Sequence, residues 1–283
     1  MDTKEWDEAI ECFQEADALL VTAGAGMGVD SGLPDFRGNE GFWRAYPEAK
    51  RLGLSFVELA NPHWFEEDPA LAWAFYGHRL RLYRETVPHA GFGMLLEAGR
   101  RTSEYFVFTS NVDGQFQKAG YDPERIVECH GSIHHLQCTR CGSGIWSAEE
   151  VEVPIDRERF RALEWPRCPR CGATARPNIL MFGDWGWDAS RTEAQEERFE
   201  DFLQRLMVRG SSLAIVEIGA GTAVPTVRRT SEGIARRFGG RVIRLNPREP
   251  EIDPALGWGF AVGGLEGIER LVREEKRAAI RRE

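Results

Sequence analysis

No apolar run in the sequence approaches the roughly 18–20 residues that a bilayer-spanning helix needs, which excludes a helical membrane protein. Basic residues are not in excess: 36 Lys and Arg stand against 45 Asp and Glu, for a formal net charge of −9. That balance argues against a protein that grips a nucleic-acid backbone, and tolerates basic partners such as lysine-bearing segments. The first residues, Met1-Asp2-Thr3-Lys4-Glu5-Trp6, are charged and lack a secretory apolar core, so a cytoplasmic location is expected. Cysteine is scarce, with six residues: Cys12, Cys129, Cys138, Cys141, Cys168 and Cys171. Four of them fall in two close pairs, which fits metal binding in a reducing compartment better than disulfides. There are no repeats and no low-complexity tract. What is present is 283 residues, 42% hydrophobic, enough for a large core as one big domain or one plus a small insert.

The most informative stretch is Thr22 to Gly38. The apolar run Ala18-Leu19-Leu20-Val21 leads into Gly24-Ala25-Gly26, the pattern of a buried strand turning into a helix whose first amides can receive a phosphate. Ser31-Gly32-Leu33-Pro34 should then break the helix, and Asp35-Phe36-Arg37-Gly38 places an acid, an aromatic ring and a guanidinium side by side. A plain dinucleotide fold would continue as helix there. This arrangement suggests reactive side chains folded back over a cofactor.

Residues 5–17 read as an amphipathic helix, and strand-like runs follow at Tyr105–Thr109, Arg125–Glu128, Pro177–Phe182, Ser212–Ile218 and Arg241–Leu245. Helical patterns at Thr192–Arg209 and Thr226–Phe238 lie between them. The alternation predicts an α/β fold with a Rossmann-like, doubly wound parallel sheet, whose ligands sit past the carboxyl ends of the strands. Several runs end in suitable residues: Ser110-Asn111-Val112-Asp113, His130-Gly131, Gly183-Asp184, Gly219-Ala220-Gly221 and Asn246. Two segments break the alternation. Residues 39–92 are rich in aromatics and read as a helical insert, and residues 132–176 hold the cysteine pairs. The large domain would then comprise 1–38, 93–131 and 177–283, with Arg270 to Glu283 as a solvated charged helix.

Cys138-Thr139-Arg140-Cys141 and Cys168-Pro169-Arg170-Cys171 each have knuckle spacing and a following glycine. Together they supply four thiolates to one closed, structural zinc site. Cys12 and Cys129 read as small buried hydrophobes. His130, at a strand mouth, is a candidate general base, and Asn111 and Asp113 can hold an amide or a ribose hydroxyl. His63, His78, His89, His134 and His135 read as structural.

Taken in order, Gly24-Ala25-Gly26, Ser31 to Gly38, Asn111-Val112-Asp113-Gly114, His130-Gly131, the two cysteine pairs, Arg176-Pro177-Asn178 and Phe182-Gly183 resemble the sirtuin family throughout the chain. The resemblance implies an NAD-dependent protein lysine deacylase that releases nicotinamide and an O-acyl-ADP-ribose, with acyl-lysine on a protein or peptide as substrate. It implies that NAD lies against Gly24, Ala25, Gly26, Met27, Asp35, Phe36, Arg37, Ser110, Asn111, Asp113, Gly219, Ala220, Gly221 and Asn246. His130 would be the base, with Asn111 and Asp113 positioning the reacting groups, and Phe182 and Gly183 would contact substrate. Tyr76 and Arg79 are similar to the Tyr-x-x-Arg pair with which one sirtuin class holds the carboxylate of succinyl- or malonyl-lysine. A monomer without nucleic-acid or membrane partners is expected. An NAD glycohydrolase or mono-ADP-ribosyltransferase on the same fold is the alternative. Departures from the family pattern are Gly28 for serine, Ser110 for glutamine, Phe116 for histidine, Gly219-Ala220-Gly221-Thr222 for Gly-Thr-Ser, and Asp184-Trp185-Gly186-Trp187 in the loop that pairs with peptide.

Overall fold

The computed structural model describes residues 3–34 and 38–272. In chain order its strands are β1 (Ala18–Ala23), β2 (Glu104–Thr109), β3 (Ile126–Glu128), β4 (Gly131–Cys138), β5 (Ile145–Ser147), β6 (Ile155–Asp156), β7 (Arg161–Ala162), β8 (Ala175–Ile179), β9 (Leu213–Ile218), β10 (Arg241–Leu245) and β11 (Gly257–Phe260). The helices are α1 (Thr3–Glu15), α2 (Gly38–Ala45), α3 (Pro47–Arg51), α4 (Phe56–Leu59), α5 (Trp64–Glu67), α6 (Pro69–Glu85), α7 (Ala90–Arg101), α8 (Gln115–Lys118), α9 (Ser190–Arg209) and α10 (Thr226–Phe238).

Six strands form a parallel sheet in the order β11-β10-β9-β1-β2-β3. Every residue of β1, β2 and β9 is buried, because helices cover both faces. Alternate residues serve opposite cores. Leu19 and Val21 pack with Trp6, Phe13, Phe92 and Leu95 of α1 and α7. Ala18 and Leu20 pack with Phe199, Phe202, Val227 and Ile234 of α9 and α10. The chain runs outward from β1 through β2 to β3, then returns to β9 on the other side of β1. The strand order therefore reverses between β1 and β9, and a crevice opens there past the carboxyl ends.

A third core joins the helical insert to a second, antiparallel sheet of order β5-β4-β8. Its centre is α6, started by Pro69 behind the Asp68 cap and buried nearly all round, including Trp73, Phe75 and Tyr76. Trp73 Nε1 donates to the Ala175 carbonyl of β8 at 2.9 Å, fastening the insert to this sheet.

The sequence placed Pro177–Phe182 among the parallel strands, but β8 pairs antiparallel with β4. A buried apolar run carries no signal of which sheet it joins. The C-terminal stretch, read as solvated, begins inside the core: Leu271 and Val272 are buried with Ile268. The remainder of that stretch, 273–283, lies outside the described residues. No helix among the described residues is long and apolar enough to cross a membrane.

Candidate active site

The turn after β1 does not open into an α-helix; a short 3₁₀ helix spans Ala25–Ser31 and ends at left-handed Gly32. The reason is visible in its contacts. Gly24 N donates to the Ile218 carbonyl at 2.9 Å and Gly26 N to the Gly219 carbonyl at 3.1 Å, so the ends of β1 and β9 are laced together across the crevice. A Cβ on Gly26 would lie 2.5 Å from Gly219 Cα, and one on Gly219 would lie 2.3 Å from Gly26 Cα. The two glycines are thus required by backbone contact, and their amides are taken up within the protein.

The other strand ends converge on the same turn. Ser110 N donates to the Ala23 carbonyl at 3.0 Å, and Asn111 Nδ2 donates to the Gly24 carbonyl at 2.9 Å. From the far side, Asn246 Nδ2 donates to the Ala220 carbonyl at 2.8 Å, and its Oδ1 accepts the amides of Arg248 and Glu249, both at 3.1 Å. Arg228 Nε also holds the Ala220 carbonyl, at 3.0 Å. The residues expected near a cofactor at β1, β2, β9 and β10 are therefore brought together, with Met27 buried beneath them. Asp35, Phe36 and Arg37 lie outside the described residues.

His130 follows β3 and is half-buried. Burial pushes its pKa below the ordinary imidazole range, and the Ser110 main chain beside the ring partly opposes this. The ring is accordingly neutral near pH 7, the state a base requires. Asp113 is buried, and burial raises its pKa to about 6; the Gln115 amide, donating to its Oδ1 at 2.9 Å, pulls the other way, and the Glu128 carboxylate adds to the rise. Burial thus favours the neutral form of both groups at these strand mouths.

Tyr76 and Arg79 sit in the aromatic core of the insert, both buried. Arg79 donates through Nε and Nη2 to the Tyr83 hydroxyl at 3.1 and 2.6 Å, and its guanidinium lies 5.2–5.9 Å from the rings of Phe56, Phe75, Tyr76 and Tyr83. Phe182 is partly exposed, edge-on to Phe56, with its amide on the Ala60 carbonyl at 3.0 Å.

The four cysteine sulfurs lie within 4.8 Å of one another, with Cys138–Cys171 and Cys141–Cys168 contacts of 3.6 Å each. A tetrahedral zinc with bonds of about 2.3 Å sets its sulfurs about 3.8 Å apart, so the residues fit that ion. The amides of Arg140 and Cys141 both point at Cys138 Sγ at 3.3 Å, the support a charged thiolate uses. None of the six cysteines is in a disulfide.

Two contacts were not read from the sequence. Arg176 and Asp184 form a buried ion pair at 2.7 Å, and Asp184 also accepts the amides of Met181 and Gly186, which fixes the loop after β8. His134 Nε2 meets the Asp113 carbonyl at 2.9 Å. The first joins β8 to the loop that follows it and the second joins β4 to the loop after β2, contacts that single-sequence spacing does not encode. The departures also find their places. Phe116 is buried against Phe92 and Tyr121, and Leu33 occupies the space beside Gly28.

A family model for the Sir2 family matches residues 24–217, more than two thirds of the chain. The chain belongs to the Sir2 family. Similar relatives include a protein named NAD-dependent protein deacylase 1 from Caldanaerobacter subterraneus subsp. tengcongensis, 30% identical over 94% of this chain and 97% of its own length. An NAD-dependent protein deacylase from Pyrococcus furiosus is 28% identical over 95% of this chain and 98% of its own. Among solved structures, a mutant Sir2 homologue in complex with ADP-ribose is 26% identical and superimposes with a TM-score of 0.70 over 99% of this chain and 98% of its own.

Proposed function

We propose that this chain is an NAD-dependent protein lysine deacylase. The observation that carries the reading is the convergence of Gly24–Gly26, Ser110-Asn111, Gly219-Ala220 and Asn246 on the crevice where the strand order reverses, with neutral His130 at its edge. The family membership and the names of its relatives support it.

In this reading the laced turns and Asn246 hold the nucleotide, and Asn111, Asp113 and Ser110 hold its nicotinamide end. NAD, when bound, supplies an activated ribose carbon with nicotinamide as its leaving group. The chain's part is to orient that centre, to exclude water from it and to accept a proton at the His130 imidazole. A zinc held by Cys138, Cys141, Cys168 and Cys171 would have four ligands from the chain and no open position, so its role would be structural, fastening β4 to the turn before β8. The division into a large domain (1–38, 93–131, 177–283), a helical insert (39–92) and a zinc module (132–176) is part of this proposal, as are a monomeric state and a cytoplasmic location.

The finer reading is a preference for acidic acyl groups. Tyr76 and Arg79 support it, because a buried guanidinium among aromatic rings suits a carboxylate that has left water. A second reading, NAD hydrolysis or ADP-ribosyl transfer, is favoured by the loop after β8. Asp184 there is committed to Arg176, and Trp185 stands fully exposed. Nicotinamide release with acetyl-, succinyl- and malonyl-lysine peptides separates the readings. Release that requires an acyl peptide is expected; release of equal rate without one would transfer the assignment to the second reading.

A further inference from the structure

A cavity of about 720 Å³ opens between the end of α6, α8, β4 and the first half of α9, with Asp113 and Gly114 of the loop after β2 in its wall. Sites for small molecules have volumes of about 300–1,000 Å³. On a chain of net charge −9 its walls are unexpectedly cationic. Arg84 and Lys118 stand on one side, Arg191 and Arg198 on the other, against the carboxylates of Asp113 and Glu124.

The pairing of these charges is incomplete. Arg198 meets Glu124 at 3.2 Å near solvent, and Arg191 pairs through Nη2 with the buried Glu128, leaving its Nη1 without a hydrogen-bond partner. The hydrogen bonds of Arg84 go to the Val151 and Ala148 carbonyls at 2.6 and 2.5 Å. Those of Lys118 go to the Arg84 and Thr86 carbonyls at 2.5 and 2.6 Å. The carbonyls fix both cations in place, and the Glu149 and Glu152 carboxylates near Arg84 offset part of its charge alone. Fastening the insert to the second sheet accounts for Arg84, but not for three further cations converging on the same space.

The cavity shares a wall with the crevice. Gly114 has a left-handed backbone, φ +69°, and a Cβ there would meet the His134 ring at 2.7 Å, so the imidazole is wedged beneath the loop while bonding the Asp113 carbonyl. The same loop carries Asn111, which holds the Gly24 turn.

We infer that this cavity is a second binding site, for a small organic dianion, and that its occupancy is felt at the β1–β9 crevice through His134 and the Asn111–Gly114 loop. The coupling, though not the binding, rests on the deacylase reading. The shared chemistry is two negative charges on a compact body, as in a sugar phosphate or a di- or tricarboxylate.

The test titrates ribose 5-phosphate and, separately, citrate into the full chain by calorimetry, with ADP-ribose present in excess to fill the strand-end crevice. At least one probe should bind one per chain with a Kd below about 1 mM. Affinity should fall roughly tenfold in Lys118→Gln, in Arg198→Gln and in Gln117→Glu, the last removing no charge pair and adding a negative charge to the wall. Failure of both probes to bind, or binding indifferent to all three changes, overturns the site. In turnover assays the bound probe should shift the KM for NAD severalfold in wild type and not in Lys118→Gln. Binding without that shift overturns the coupling. A chain that binds the probe yet releases no nicotinamide fails the deacylase reading alone.

Discussion

Replacing Gly26 by Ala tests the claim that the crevice is built by two backbones in contact. The added Cβ would lie 2.5 Å from Gly219 Cα, 3.0 Å from its carbonyl oxygen and 3.2 Å from its carbonyl carbon. Carbon atoms pack at about 3.5–4.0 Å, so the two turns must part by about 1 Å, and no side chain is available to yield. The Gly26 N to Gly219 O bond, now 3.1 Å, would then be stretched beyond hydrogen-bond range. Overpacking strain of about 1–3 kcal/mol and a lost bond of about 1 kcal/mol give a destabilisation of about 2–4 kcal/mol. For a chain of this size that is a fall in Tm of about 5–12 °C. A 1 Å displacement of the crevice wall should also raise the KM for NAD at least tenfold. Gly28→Ala is the internal control. Its Cβ would meet Leu33 Cδ1 at 3.0 Å and Leu33 Cβ at 3.3 Å, contacts that a small shift of one side chain relieves, so a cost below about 1 kcal/mol is expected. Thermal melts and NAD titrations of both variants decide the matter. Wild-type behaviour of Gly26→Ala, or equal damage from the two changes, would refute the reasoning.

Asp113→Asn should separate stability from function. Burial raises the folded pKa of Asp113 to about 6 from 3.8, so its ionised form opposes folding; the penalty is full above about pH 6 and absent below pH 3.8. The variant should therefore be more stable than wild type at pH 8, by up to about 3 kcal/mol, with the difference fading by pH 4, while nicotinamide release falls. Because the His130 pKa is depressed, the acid limb of kcat/KM should lie below pH 6.5, and His130→Ala should remove the activity without a large change in Tm. Arg176→Met leaves Asp184 buried and unpaired and should cost about 3–5 kcal/mol by denaturant melt, with Arg176→Met/Asp184→Leu recovering most of it. Elemental analysis should find one zinc per chain, and chelation should lower Tm without altering the described turn at Gly26. Arg79→Met should cut turnover of succinyl-lysine peptide relative to acetyl-lysine by about tenfold or more.

The parts of the molecule that are legible in the sequence are those in which local chemistry and tertiary role coincide. The runs at β1, β2, β9 and β10 are apolar because both sheet faces are covered, and the helical period at α9 and α10 has one dry face. The cysteine pairs are legible because four thiolates at that spacing have one common use. β11, reading Gly-Trp-Gly-Phe, has neither a β-branched residue nor a clean alternation and is recognisable only from its place beside β10. The glycines of the first turn were recognisable, but their reason was not: the phosphate-turn pattern suggests amides facing a ligand, whereas Gly24 and Gly26 give theirs to β9. That contact joins residues almost two hundred apart, beyond any local pattern. The Arg176–Asp184 pair was hidden for the opposite reason, since a charged residue in a strand and another in the loop after it ordinarily lie in water.

The most direct test of the central claim is the product balance of a single incubation. Purified protein, NAD and an acyl-lysine peptide should yield nicotinamide, free lysine peptide and O-acyl-ADP-ribose in equal amounts by mass spectrometry, with none formed by His130→Ala. Free ADP-ribose accumulating while the acyl peptide stays intact would contradict it.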